Sequence, residues 1–419
     1  MLRIPKLSVL LVLCSATPTW CPVPAAIAQE ATAAPRLTEA KILAALSGGG
    51  ITKHRLAVLI GERGADFPLT PEKEKELRQA GADDEVIGAI RQAIEREVAA
   101  ANQRGDDFTK AKEYDLAISN YTESIELKPD DATVFDRRGL AFYHKDDLDR
   151  AIQDYNNAIR LGTTDATVYD RRGAAYDQKG DPDRAIQDYS EAIRLNPRDA
   201  FALEDRGSLY EQKNDHDRAI QDYTEAIRLK PDDAIAFNNR SVAYGEKKDY
   251  DRALQDLNEA IRLDPAYALA FRGRADIYRK KEDYDRALQD ADQAIRLAPT
   301  VPYAYVLRGG VYSDKNDYDR AIQDYNEAIR LNPAEVVAHD NRGLNYRKKG
   351  EYDKAIADFN EAIRLDPSDE YSFRSRGIAY YLKGDYQHAV NDLDQALKLD
   401  PNDSDASKWR KMAQENGKP

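Results

Sequence analysis

A single spacing of 34 residues governs most of this 419-residue chain. Counting in steps of 34 from Pro129 reaches Thr163, Pro197, Pro231, Pro265, Pro299, Pro333, Pro367 and Pro401. The same step from Gly105 reaches Gly139, Gly173, Gly207, Ser241, Ala275, Gly309, Gly343 and Gly377, with no insertion. Each such unit is too short to bury an apolar face alone, so the chain must gain its stability by stacking neighbours. With Val98 as position 1, nine units run to Asp403.

The units share a pattern that reads as two short amphipathic helices. Position 11 is aromatic in all nine, from Phe108 to Tyr380, and position 20 is alanine in all nine, from Ala117 to Ala389. Apolar residues at spacings of three and four mark each helix. Steps such as Gly350-Glu351-Tyr352 near positions 15 to 17 separate the two. Proline at position 32 stops the second helix. Glycine inside a helix costs roughly 0.5–1 kcal/mol relative to alanine, so its recurrence at position 8 implies a close approach of another group. Small residues at 8, 20 and 27 are expected as holes, and rings at 11 and 24 as the knobs that fill them. Arginine at position 7, from Arg104 to Arg376, and aspartate at 23, from Asp154 to Asp392 with Asn120 in the first unit, are expected to form a ladder of partly buried ion pairs.

Nine ungapped units carrying Gly at 8, an aromatic at 11, Ala at 20 and Pro at 32 resemble the tetratricopeptide repeat, over residues 98–403. The resemblance implies an all-α, right-handed solenoid of helix-turn-helix repeats. It also implies that positions 2, 5, 9, 12 and 13 of each first helix line a concave groove for an extended peptide or partner segment. In units two to five those positions hold Asp136, Asp170, Asp177, Glu204, Glu211 and Glu246. In units six to nine they hold Arg272, Arg279, Lys280, Arg347, Lys348 and Arg374 against Asp276, Asp314 and Asp340. Tyr143, Phe201, Ile235, Leu269, Tyr303, Tyr371, Ile378, Tyr381 and Leu382 interleave with them as candidate anchors. The expectation is a groove acidic in its first half and basic in its second; the competing reading is a solvated surface with no ligand. The Lys-at-5, Asn-at-9 clamp that some family members use for chaperone tails is absent, since the matching pairs are Arg272 with Asp276 and Arg374 with Ile378.

The flanks are expected to differ. Arg3 and Lys6, the apolar run from Leu7 to Leu13, and Ala26-Ile27-Ala28 follow the plan of a secretory leader cut after Ala28. Cleavage would remove Cys14 and Cys21, and neither follows the small residues that lipid attachment needs. A bacterial envelope or secreted location follows from this reading. Residues 29–36 read as a linker and residues 37–97 as a small helical module. In that module four short helices end by Glu95, with Thr52, Thr70 and Asp83 as N-caps and Pro71 at the first helical position. Residues 404–419 read as a capping helix and tail, with Trp409 and Met412 turned inward.

Chemistry is largely excluded. His54, His144, His216, His339 and His388 fall at no zinc-ligand spacing, Gly48-Gly49-Gly50 lacks the Lys-Ser/Thr ending of a phosphate loop, and no nucleophile elbow occurs. No cofactor or metal is expected. A net charge of −13 argues against nucleic acid as a partner, and past the leader no run approaches the roughly 20 apolar residues of a membrane span. The reading is a non-catalytic scaffold that binds a protein or peptide ligand in the cell envelope. The alternatives are a cell-wall polymer binder acting through residues 37–97, or an enzyme using carboxylates of the acidic half.

Overall fold

The computed structural model describes residues 34–417, so the expected leader, residues 1–28, lies outside the described residues. These residues form two units, 34–209 and 210–417. Both are all-α, as expected, apart from one isolated parallel bridge between Leu37 and Ala65.

The first unit begins with α1 (Glu39–Gly48), α2 (Lys53–Arg63), α3 (Pro71–Gln79) and α4 (Asp84–Lys110). Thr38, Thr52, Thr70 and Asp83 cap the four, each side chain accepting the backbone N–H three residues on. The fourth helix is not short. α4 runs 27 residues without a break across position 97/98, so it is both the last helix of the amino-terminal module and the first helix of repeat one. Ile42, Ile60, Leu77, Ile90 and Val98 share one buried cluster with Leu127 of the first repeat. Arg36 adds ion pairs to Glu97 at 2.9 Å and to Glu123 at 2.5 Å.

Then come α5 (Tyr114–Leu127), α6 (Ala132–His144), α7 (Leu148–Arg160), α8 (Ala166–Gln178), α9 (Pro182–Leu195) and α10 (Ala200–Gln212). The second unit continues with α11 (His216–Leu229), α12 (Ala234–Glu246), α13 (Tyr250–Leu263), α14 (Ala268–Lys280), α15 (Tyr284–Leu297) and α16 (Pro302–Asp314). It closes with α17 (Tyr318–Leu331), α18 (Val336–Lys348), α19 (Tyr352–Leu365), α20 (Glu370–Lys383), α21 (Tyr386–Leu399) and α22 (Ser404–Asn416). Even-numbered helices from α4 to α20 are the first helices of repeats, and odd-numbered ones from α5 to α21 are the second.

Glycine at position 8 makes room for the residue at 24. A Cβ added to Gly139 would stand 2.8 Å from Tyr155, one on Gly309 2.9 Å from Tyr325, and one on Gly343 2.8 Å from Phe359. Where position 8 is larger, position 24 is smaller than a ring: Ser241 goes with Leu257, and Ala275 with Ala291. The alanines at position 20 in all nine repeats, such as Ala151, Ala253 and Ala355, have no exposed surface.

The expected ladder is present and ties repeats together. Arg240 donates to Asp256 at 2.8 and 2.7 Å and to Thr224 of the preceding repeat at 3.1 Å. Arg274, Arg342 and Arg376 repeat the geometry with Asp290, Asp358 and Asp392, reaching back to Asn258, Asn326 and Asn360. A second, exposed ladder links Lys281 to Asp251, Lys315 to Asp285 and Lys349 to Asp319 at 2.6–2.8 Å. The Asp-Arg turn sequences also act locally. Asp249 caps α13 and binds Arg252, whose guanidinium lies 4.5 Å above the Tyr244 ring at position 11.

Position 15 has a left-handed backbone in all nine repeats. Glycine supplies it at Gly180, Gly350 and Gly384, but Lys112, Asp146, Asn214, Lys248, Glu282 and Asn316 adopt it with φ of 58–62°. At the carboxyl end, Ala406 and Ala413 are the fully buried residues of α22. Trp409 and Met412, expected inward, are half-buried, Trp409 packing against the cluster of Leu393, Ala396 and Ala406.

Candidate peptide-binding face of the first helices

Positions 2, 5, 9 and 12 follow one another at spacings of three and four, so they share one stripe of each first helix, opposite the stripe of positions 7, 8 and 11 that meets the second helix. Within residues 210–417 successive first helices touch: α12 with α14, α14 with α16, α16 with α18 and α18 with α20. Successive second helices do not approach one another to the same degree. The first-helix wall is therefore the tighter, inner side of this packing.

In residues 34–209 the wall gathers acids. Asp136 is 6% exposed, and its carboxylate accepts from the guanidinium of Arg171. Burial raises its pKa and Arg171 opposes the rise. Arg171 stands at position 6, outside the five groove positions, so the charge of Asp136 is answered inside the protein. Arg137, also at position 6, donates to Asp106 at 2.9 Å.

Asp170 is half-buried, and desolvation, then the charge of Asp199, push its pKa up to about 6. Asp177 reaches water on the same helix, with its pKa raised by desolvation. Asp205 on α10 also reaches water, but loss of bulk solvent on one side, then the charges of Asp170, Asp177 and Asp199, push it up to about 7. Exposure and a raised pKa coexist here because the wall displaces solvent without covering the carboxylate. The phenol of Tyr143 is raised by burial and by the same acids, Asp177 and Asp205 foremost. Glu204 is half-buried and Phe201 is 64% exposed. Among the described residues no group of three or more His, Cys, Asp or Glu is arranged to hold a metal ion.

In residues 210–417 most of the charges are paired. Glu211 meets His216 Nδ1 at 2.9 Å; burial raises its pKa and His216 opposes the rise, while Glu246 is exposed. Arg279 donates to Asp314 at 2.6 Å and lies on the α16 backbone at Gly310, where an added Cβ would sit 3.1 Å from the guanidinium carbon. Lys280 pairs with Asp276 at 3.1 Å and Arg374 with Asp403, the N-cap of α22, at 2.5 Å. Lys348 is exposed, over the Tyr318 ring at 5.2 Å. Asp340 is buried and accepts from the Ser372 hydroxyl at 2.7 Å.

Arg272 and Arg347 differ from these: among the described residues neither has a carboxylate in ion-pair contact. Arg272 lies 4.8 Å from the Tyr303 ring, and burial lowers its pKa. Burial lowers Arg347 as well, and its Nη1 is buried without a hydrogen-bond partner among the described residues. Burial pushes Tyr303 and Tyr371 up to about 12.

The apolar candidates separate by position. Ile235 is 53% exposed, Leu269 41% and Leu382 40%, whereas Ile378 is buried at 8% and belongs to the core. Tyr381 packs on Trp409, ring centroids 5.2 Å apart, and accepts from Asn416 at 3.0 Å. Sequence reasoning missed Arg171, Asp205 and Gly310. The first two have a signal: position 6 runs Arg137, Arg171, Asp205, Asn239, Gly273, Leu307, Asn341, Ser375, a variety that packing alone does not require.

Hairpins that bury their faces only against sequence neighbours, with a first-helix wall on the inner side, define an α-helical repeat protein. A tetratricopeptide repeat family model matches residues 102–166, 171–234, 238–302 and 272–336. Two further models, described as TPR repeat and tetratricopeptide repeat, match residues 343–384 and 371–403. The chain belongs to the tetratricopeptide repeat family.

No curated protein matches it. Among solved structures, a tetratricopeptide repeat protein from Parabacteroides merdae is 19% identical, with a TM-score of 0.50 over 59% of this chain and 98% of that one. The APC/C heterotetramer Cut9-Hcn1 is 17% identical, with a TM-score of 0.52 over 90% of this chain and 72% of that one. Both likenesses concern the fold. YrrB, a TPR protein with an unusual peptide-binding site, is 25% identical over 45% of this chain and 97% of its own, with a TM-score of 0.37. No helix among the described residues is long and apolar enough to cross a membrane.

Proposed function

We propose that this protein is a non-catalytic interaction scaffold of the bacterial envelope, holding an extended peptide or partner segment against its first-helix wall. The observation that carries the reading is the exposure of large apolar side chains at position 2: Phe201 at 64%, Ile235 at 53% and Leu269 at 41%. The repeat does not need them for packing, and a solvated face does not favour them. Apolar anchors set among charged residues suit recognition of another chain. The envelope location rests on the leader-like pattern of residues 1–28.

The test is selection of random displayed peptides on the full chain, followed by affinity measurement with an I235S/L269S double variant. The reading predicts selected peptides whose affinity falls at least tenfold in that variant. Failure to select any peptide, or unchanged affinity, would contradict it.

A further inference from the structure

Arg347 presents an unmet requirement. A guanidinium has five N–H donors and stays charged, and a buried donor without a partner is unfavourable. Yet Nη1 of Arg347 is buried with no acceptor among the described residues. The charged groups that act on it are Tyr371, which supports the cation, and Arg374, which opposes it. Arg374 is itself occupied by Asp403, and the nearby carboxylate of Asp340 accepts from Ser372.

Arg272, two repeats earlier, likewise stands against a ring with no carboxylate in ion-pair contact among the described residues. Its neighbours are Tyr303, Asp276 and Tyr267, and Asp276 is engaged by Lys280. Each of these arginines stands beside the tyrosine at position 2 of the following repeat, Arg272 by Tyr303 and Arg347 by Tyr371. The other two arginines of this wall, Arg279 and Arg374, have carboxylate partners. Two cations kept unpaired beside rings, where others on the same wall are neutralised, are arranged for an anion that comes from outside.

We infer that Arg272 and Arg347 are a two-point recognition site for an extended acidic peptide, each guanidinium taking one carboxylate while its tyrosine flanks the adjoining apolar atoms. The inference rests on the scaffold reading above and names its partner's chemistry. The spacing follows from the packing. α14 and α18 are separated by α16, and helices packed side by side lie about 8–10 Å apart; Arg347 also stands seven residues further along its helix than Arg272, about 10 Å of axial rise, so the two sites are about 19–23 Å apart. An extended chain advances about 3.3–3.6 Å per residue. Two acidic residues about six or seven positions apart therefore reach both arginines.

The experiment measures fluorescence anisotropy of the full chain with synthetic peptides carrying two glutamates at separations of two to nine residues in a Ser/Asn background. Affinity is expected to peak at a separation of about six or seven and to fall at least tenfold in R272Q and in R347Q. R347K, which keeps the charge but not the fork, should restore part of it. Equal affinity at every separation, or no loss in either variant with melting temperature intact, would overturn the inference. So would competition by millimolar inorganic phosphate that removes binding regardless of peptide spacing, because it would assign the arginines to a small anion. If the displayed library yields binders without acidic residues, the inference fails while the scaffold reading stands; if it yields none, both fail.

Discussion

Tyr155 occupies the space that a side chain on Gly139 would need, its ring edge 2.8 Å from the site of the missing Cβ. The ring has no exposed surface, so neither partner can move outward. Overpacking of this kind costs about 1–3 kcal/mol, against the roughly 1 kcal/mol that alanine gains over glycine in a helix. Gly139→Ala is therefore expected to lower the melting temperature, although it improves helix propensity. Tyr155→Ala should cost less in the Gly139→Ala background than in the native one, the pairing that repeat six already uses at Ala275 and Ala291. A double-mutant cycle by chemical denaturation reads the coupling, and additivity would refute the contact.

The left-handed residue at position 15 offers the opposite experiment. Lys248 and Glu282 hold φ near 60°, at 62° and 61°, where a side chain with a Cβ is unfavourable by about 1–2 kcal/mol. Glycine relieves this but gains freedom in the unfolded chain. Lys248→Gly and Glu282→Gly are each expected to stabilise by about 0.5–1 kcal/mol, read as a higher denaturation midpoint.

The Arg–Asp ladder predicts asymmetry between breaking a pair and replacing it. Asp256 is only 5% exposed and holds Arg240 through two bonds. Arg240→Ala should cost about 3 kcal/mol, because it leaves a buried carboxylate unanswered. Replacing both, as R240M/D256L, should cost less than the single change. Equilibrium urea unfolding of the three proteins checks the order.

Asp170 and Asp205 give the molecule a pH dependence of definite sign. Their folded pKa values, about 6 and about 7, lie above the ordinary carboxylate value of 3.8. Between about pH 4 and 7 the folded state then binds more protons than the unfolded one, so stability falls as pH rises through this window. Asp205→Asn is expected to flatten the slope and to raise the melting temperature at pH 8 more than at pH 4. A variant with an unchanged pH profile would show that these carboxylates ionise normally.

The array was legible because its grammar is local. A 34-residue period, the glycine facing a ring and the arginine facing an aspartate all lie within one repeat, where sequence distance and contact coincide. The caps Thr52, Thr70 and Asp83 were legible for the same reason. What crosses from one repeat to the next was not. Asp136 meets Arg171 and Arg279 meets Asp314, each 35 residues away, and which side chains bridge that interval depends on how the helices pack. The length of α4 escaped because no glycine turn or proline separates Glu95 from Lys110, and Gly105 serves packing on Tyr121 rather than a break. The left-handed turn was visible at Gly350 but not at Lys248 or Glu282, where the bonds from Asp249 N–H to the Tyr244 carbonyl and from Asp283 N–H to the Tyr278 carbonyl close the same turn on a residue that does not advertise it.

The central claim is that the wall of first helices grips another chain, and site-specific photo-crosslinking tests it most directly. A photoreactive residue at Leu269, on the inner wall, is compared with one at Gln255, exposed on the second helix α13, using peptides selected on the full chain. The account predicts covalent peptide adducts from position 269 and none from position 255. Adducts from 255 without any from 269 would contradict it.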